Sequence, residues 1–127
     1  MRTKSAKKQA LMEYEIIAKI IKKLDLAEEE GEEMEKLREQ LQEIPLRVSV
    51  RSGYQNIGEK LEPSEYNILL CIEGPAVRIT GALNEYFEPS TASLEAQDWF
   101  TPWEEILSNK INCKILLDFT RQFYFGG

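Results

Sequence analysis

The sequence predicts an α+β fold: an N-terminal helical hairpin, a four-stranded antiparallel sheet, and C-terminal helices packed on it. Three observations lead there. Up to Ile44 apolar residues recur every three or four positions, after Pro45 they alternate, and from Thr101 helix-start chemistry and helical spacing return. At 127 residues, 43% of them hydrophobic, the chain is long enough for one modest core. Residues 1–44 are expected to form the hairpin arm and residues 45–127 the α+β core, the two joined as one folding unit.

In the first segment Ala10, Tyr14, Ile17, Ile21 and Leu24 fall at helical spacing, with Met12, Ile16 and Ile20 as a second row. Lys19, Lys22 and Lys23 stand near its end, where positive charge suits the helix dipole. Gly31 marks a turn, after which Met34, Leu37, Leu41 and Ile44 define a second helix stopped by Pro45. Glu32 and Lys36 make a favourable i,i+4 pair. Beyond Pro45, Leu46, Val48 and Val50 alternate with Arg47, Ser49 and Arg51, the signature of a strand.

"SGYQNIGEKLEPSE" has loop composition and leads into "YNILLCI", an apolar run suited to a central strand. "AVRITGAL" alternates again, and Gly81 within it predicts either a bulge or a place where a ring from elsewhere lies against the backbone. "NEYFEPS" supplies turn chemistry before the fourth strand, "TASLEAQDW". At "DWFTPWEEIL", Thr101 fits an N-cap, Pro102 the first helical position and Glu104 the capping box, which predicts a short helix from Pro102. Ile111, Ile115, Phe119 and Phe123, with Leu116 alongside, predict a last helix ending at Gly126.

Composition excludes several function classes. The formal charge is -6 with 22 acids against 16 bases, which argues against a general phosphate-backbone binder. The balance is uneven: residues 1–24 hold seven Lys/Arg and two Glu, whereas residues 25–43 hold nine acids and two bases. Two helices of opposite charge attracting each other across the hairpin account for this. The chain has no histidine, and its two cysteines, Cys71 and Cys113, lack CxxC partners, so no metal site, cofactor or redox motif is expected. No apolar stretch has membrane-spanning length, and the basic N-terminus lacks a signal peptide's apolar segment, which points to the cytoplasm.

Catalysis is not expected. Glu104 and Glu105 are adjacent and point apart on a helix, no histidine is present to activate a nucleophile, and "GPAVRITG" lacks the lysine and spacing of a phosphate loop. The strongest local constellation is Asp98, Trp99, Thr101 and Trp103, with Arg51, Tyr54 and Arg78 brought near if the strands pair in sequence order. As a site it would be an aromatic platform rimmed by an acid and arginines, suited to anchoring a partner side chain. The simpler reading makes the tryptophans strand-to-helix glue, with Asp98 bound to an arginine or to backbone amides.

The stretches "IPLRVSVRSGY", "GPAVRITGALNEYFEPSTASLEAQDWFTPW" and "FYFGG" resemble a family of bacteriophage, prophage and mobile-element proteins. This chain departs from the family pattern at Glu73 and Phe100. The resemblance implies a genomic setting and brings no activity with it. By analogy with the company such small acidic proteins keep, it implies an anti-CRISPR-like antagonist that binds and inhibits a bacterial host protein, a CRISPR effector being the most concrete target, in the host cytoplasm.

On that reading Glu28, Glu29, Glu30, Glu32 and Glu33 would mimic phosphate towards a basic channel. The protein would act as a monomer, or as a homodimer through its N-terminal helices. The alternative is an accessory nucleic-acid-binding module that uses the basic arm (Arg2, Lys4, Lys7, Lys8) and stacks bases on Tyr54, Tyr86 and Phe87.

Overall fold

The computed structural model describes residues 5–27, 31–72, 75–98, 101–107 and 109–125. Helices α1 (Ala6–Leu26) and α2 (Glu32–Glu43) come first, followed by strands β1 (Arg47–Ser52), β2 (Pro63–Cys71), β3 (Ala76–Ala82), β4 (Ser93–Gln97) and β5 (Glu104–Leu107). Helix α3 (Lys110–Thr120) closes the chain. The fold is α+β, and its sheet is a meander in which every strand lies antiparallel to its sequence neighbour, in the order β1-β2-β3-β4-β5.

Helix α1 starts at Ser5, whose side chain accepts the Lys8 N–H at 3.1 Å and satisfies one orphan donor of the first turn. It buries Ala6, Ala10, Tyr14, Ile17, Ala18 and Ile21. Of the second apolar row, Ile20 reaches the core, but Met12 and Ile16 stay exposed. They stand two positions on from Ala10 and Tyr14, which at about 100° per residue turns them to the far side of the helix.

Helix α2 has Glu32, Glu33 and Glu35 in its first turn, where the helix dipole favours acids. It buries Leu37 and Leu41 and packs on α1. This contact is apolar; among the described residues no ion pair joins the two helices, so burial rather than opposite charge holds the hairpin. Each such buried leucine is worth about 2 kcal/mol.

One core gathers Ala10, Ile17, Ile21 and Leu41 of the first two helices, Tyr66, Ile68, Val77, Ile79, Leu94 and Ala96 of the sheet, and Leu116 and Phe119 of α3. All three helices therefore serve the same sheet face. The opposite face carries the alternate residues of each strand, as expected of an antiparallel sheet covered on one side.

Three expectations about the sheet and its C-terminal flank are corrected. The sheet has five strands, not four, because residues 104–107 pair with β4 where a helix was expected: Ala96 faces Glu104, Glu95 faces Glu105 and Leu94 faces Leu107. A helix from Pro102 would be about two turns long, marginal without strong packing, and would leave the β4 edge bare. Thr101 makes a turn instead of a cap: its hydroxyl accepts the Asp98 N–H and donates to the Asp98 carbonyl, both at 3.0 Å.

The C-terminal region accordingly has one helix, capped by Asn109, which accepts the Asn112 N–H at 2.8 Å. Its buried stripe is Leu116, Phe119 and Thr120, while Ile111 is exposed. The helix ends at Thr120, so Phe123 lies beyond it, set edge-on to Phe119 with ring centroids 5.3 Å apart. Gly126, its expected end, lies outside the described residues. The chain leaves the helix to bury Phe125 against the Tyr66 ring, centroids 5.0 Å apart.

Gly81 settles the choice between a bulge and a ring. Its register with Tyr66 is regular, and the Tyr66 hydroxyl crosses above it to donate to the Thr91 carbonyl. A side chain at Gly81 would strike Thr91's backbone and meet the Tyr66 hydroxyl at 2.7 Å. Burial in this contact pushes the Tyr66 phenol up to about 12. The following β3–β4 turn is organised by Asn84, whose Oδ1 accepts the N–H groups of Tyr86 and Glu88, and it holds Phe87 at φ 62°.

Candidate functional site

The uncovered face of the sheet is where most of the candidate residues can be compared. Strand register places Ser49, Asn67, Thr80 and Ser93 in one polar row across β1 to β4. On one side of that row Arg51 faces Glu65; on the other Arg78 faces Glu95, which in turn faces Glu105. Together these side chains line a cleft of about 360 Å³ containing Arg51, Glu65, Asn67, Arg78, Thr80 and Glu95.

The two arginines are held differently. Arg51 grips Glu65 with two parallel bonds, Nε to Oε1 at 2.9 Å and Nη2 to Oε2 at 3.1 Å, and this pair stands in solvent. The bond from Arg51 holds the Glu65 carboxyl below its usual range, although an exposed ion pair adds little to stability. Arg78 is more enclosed. Its Nε donates to Glu95 Oε1 at 2.7 Å with both side chains about three-quarters covered, and its guanidinium lies 3.9 Å from the centre of the Trp103 ring.

A cation over an indole contributes about 0.5–2 kcal/mol and fixes both partners' orientation. Trp103 is half-buried, so the stack forms a firm polar-aromatic shelf at the end of the cleft. In the polar row, Asn67 Oδ1 is buried with no hydrogen-bond partner, an arrangement that costs about 1–3 kcal/mol.

Arg51, Arg78 and Trp103 thus share one face, as strand pairing in sequence order requires. Asp98 is not among the residues that line the cleft; it shares another cavity with Trp103, lined also by Ala6, Thr101 and Pro102. It sits at the end of β4 on the helix side, where its Oδ1 accepts the Ala6 N–H at 3.1 Å and so caps α1 from 92 residues away. Of its two expected partners, an arginine or backbone amides, this bond is to an amide. Tyr54 lies in the β1–β2 loop with its ring fully exposed, beside Gln55, Asn56 and Glu59 and away from the cleft.

Glu32 and Glu33 are exposed on α2, in the helical layer, and so face away from the arginine cleft. Glu28, Glu29, Glu30 and Trp99 lie outside the described residues, as do Arg2 and Lys4 of the basic arm. Lys7 and Lys8 are exposed on the first turn of α1. The aromatic residues of the alternative reading are split: Tyr86 and Phe87 line a second cleft with Arg121, Phe123 and Tyr124, and Tyr54 is elsewhere.

Sequence reasoning missed Glu65, Asn67 and Glu95, the acids and the amide that complete the cleft. Glu65 falls in the stretch of loop composition and Asn67 in the apolar run. The usable signal was the alternation Glu65, Asn67, Leu69 against Tyr66, Ile68, Leu70, which marks a strand with one polar face.

Among the described residues no three His, Cys, Asp or Glu come together as a metal site would require, and no helix is long and apolar enough to cross a membrane. Comparison with family models, with curated proteins and with solved structures gives no match.

Proposed function

We propose that this chain is a non-enzymatic binding protein whose open sheet face grips a partner protein through the Arg78–Trp103 shelf. The observation that carries the reading is the stack itself: an arginine, an indole and a carboxylate held together on a sheet face that no helix covers. Tryptophan and arginine dominate the energy of protein interfaces because they combine large contact area with directed polar groups. A shelf oriented before binding loses little entropy when a partner arrives.

For the biological role, the sequence resemblance supports a phage or mobile-element protein that antagonises a bacterial host protein, in the manner of an anti-CRISPR protein. The acidic first turn of α2, with Glu32 and Glu33 in solvent, supports a second, charge-based contact towards a basic surface.

Capture from a bacterial lysate tests both parts. The intact protein is compared with Arg78→Ala, with Trp103→Ala, and with a variant in which Glu28, Glu29, Glu30, Glu32 and Glu33 are Gln. One host protein should be retained by the intact chain and lost with either shelf variant, provided each keeps its far-UV circular dichroism. Retention undiminished by both would remove the shelf from the interface, and retention by the Gln variant would end the phosphate-mimicry idea.

A further inference from the structure

Strand β1 ends the sheet, and among the described residues no strand lies on its outer side. Its alternate residues Val48 and Val50 face Ile68 and Tyr66 across the ladder, so they belong to the core side of the sheet. Ile68 and Tyr66 are sealed, yet Val48 is 39% exposed, Val50 46%, and neighbouring Leu46 62%. The helices rest on the other end of the sheet, with α1 against β3, β4 and β5 and α3 against β4. The apolar layer therefore runs out from under its cover before it reaches β1.

Edge strands are commonly protected by proline, by a bulge, by a charge pointing into the core or by charged side chains along the edge. Residues Arg47 to Arg51 have only the last of these: their register is unbroken until the shift at Ser52, and Arg47 and Arg51 guard the face opposite the apolar layer. The edge thus offers two distinct rows to an incoming strand, one apolar and one polar, in which Arg51 is already bound to Glu65 and Arg47 has no ion-pair partner among the described residues.

A second copy of β1 fits poorly. In the antiparallel register that keeps both copies' apolar side chains on one face along the full strand, Ser49 meets its counterpart and Arg47 faces the other copy's Arg51, twice over. Like charges directly opposite each other are unfavourable. A strand carrying carboxylates at those positions meets the same edge with attraction.

We propose that the β1 edge is a docking site for an extended segment of a partner protein in which apolar residues alternate with Asp or Glu. The segment adds as a sixth strand, its apolar side chains extending the Val48–Val50 layer and its carboxylates beside Arg47 and Arg51. Backbone pairing supplies the affinity and the two rows supply the specificity. This surface is separate from the Arg78–Trp103 shelf, so the lysate capture above can fail while this holds.

The test uses the full chain and two synthetic heptapeptides, one alternating Val with Glu and one alternating Val with Lys, titrated to millimolar concentration by NMR. The Glu peptide should bind, slow amide exchange at Val48 and Val50, and weaken with added salt. Arg47, which has no ion-pair partner among the described residues, provides the variant. Arg47→Glu should weaken the Glu peptide by about three- to fivefold and strengthen the Lys peptide by a similar factor.

A version of the Glu peptide with alternate N-methyl groups should not bind, since it cannot form the ladder. The proposal is overturned by equal binding of both peptides, by binding of neither, or by self-association of the free protein that protects the same amides.

Discussion

Replacing Gly81 by alanine should destabilise this protein far more than a glycine-to-alanine change in a strand normally does. On propensity alone alanine is the better residue, because glycine loses more conformational freedom on folding, and Gly81 is not at positive φ. The added methyl would nevertheless overlap Thr91's carbonyl group, with the carbonyl carbon and the Tyr66 hydroxyl each 2.7 Å away. One obstacle is backbone and cannot rotate aside. Overpacking of this kind costs about 1–3 kcal/mol, and losing the Tyr66–Thr91 hydrogen bond adds about 1 kcal/mol. The total of about 2–4 kcal/mol is a large part of the 5–15 kcal/mol typical of a domain.

Urea unfolding followed by circular dichroism measures that loss directly, and the melting temperature should fall by about 10 °C. A double-mutant cycle separates the two obstacles. In a Tyr66→Phe background the hydroxyl is gone but Thr91 remains, so Gly81→Ala should cost about 1 kcal/mol less than in the parent and still be destabilising. A Gly81→Ala variant within about 0.5 kcal/mol of the parent would refute the close approach of Thr91 to β3.

Tyr66 also sets an alkaline limit. Its folded-state pKa is raised to about 12 from 10.0, so its contribution is intact below pH 10 and is lost as pH rises through 12. This amounts to about 3 kcal/mol, and stability measured between those pH values should fall less steeply in Tyr66→Phe. Glu13 follows the same sign in the acid range: burial raises its pKa, so its charged form opposes folding at neutral pH. Glu13→Gln should raise the melting temperature at pH 7, with the gain vanishing in acid.

Asp98→Ala removes the bond to the Ala6 N–H and should lower stability by about 1 kcal/mol, with faster amide exchange confined to the first turn of α1. Asn67→Val removes an unpaired buried acceptor and installs a better strand former, so it should stabilise by about 1–2 kcal/mol. A loss of stability there would show that Oδ1 has a partner.

The helices and the strand order were legible because burial imposes a period. Ala10, Tyr14, Ile17 and Ile21, and then Leu37 and Leu41, sit where one sealed face requires them. The fifth strand was not legible, because the same Thr-Pro-Trp-Glu that spells a helix start also fits a turn entering an edge strand. Only the bare side of β4, a tertiary fact, decides between them. The ring over Gly81 could be anticipated from the glycine, but not that it would come from the adjacent strand.

The candidate face was half legible. Arg51, Arg78 and Trp103 stand out as chemistry, and their convergence follows from pairing the strands in order. Their carboxylate partners follow from the registers of β1 with β2 and of β3 with β4, which depend on loop lengths. Asp98 illustrates the limit of local reading. Followed by two aromatics it resembles a site residue, yet its side chain bonds to the far end of the chain.

The tie between Asp98 and Ala6 also bears on how the molecule is made. Helix α1 leaves the ribosome before the strands of this sheet, and about seventy residues separate its last turn from the end of β4, which at 5–20 residues per second is roughly 4–14 s of synthesis. Until β4 forms, Tyr14, Ile17 and Ile21 lack much of the sheet they pack on, and the helix lacks its distant cap. A nascent chain stalled before Asp98 should therefore be a better chaperone client than the finished protein. Changes that speed or slow translation across the strands should alter yield without altering the stability of what is eventually released.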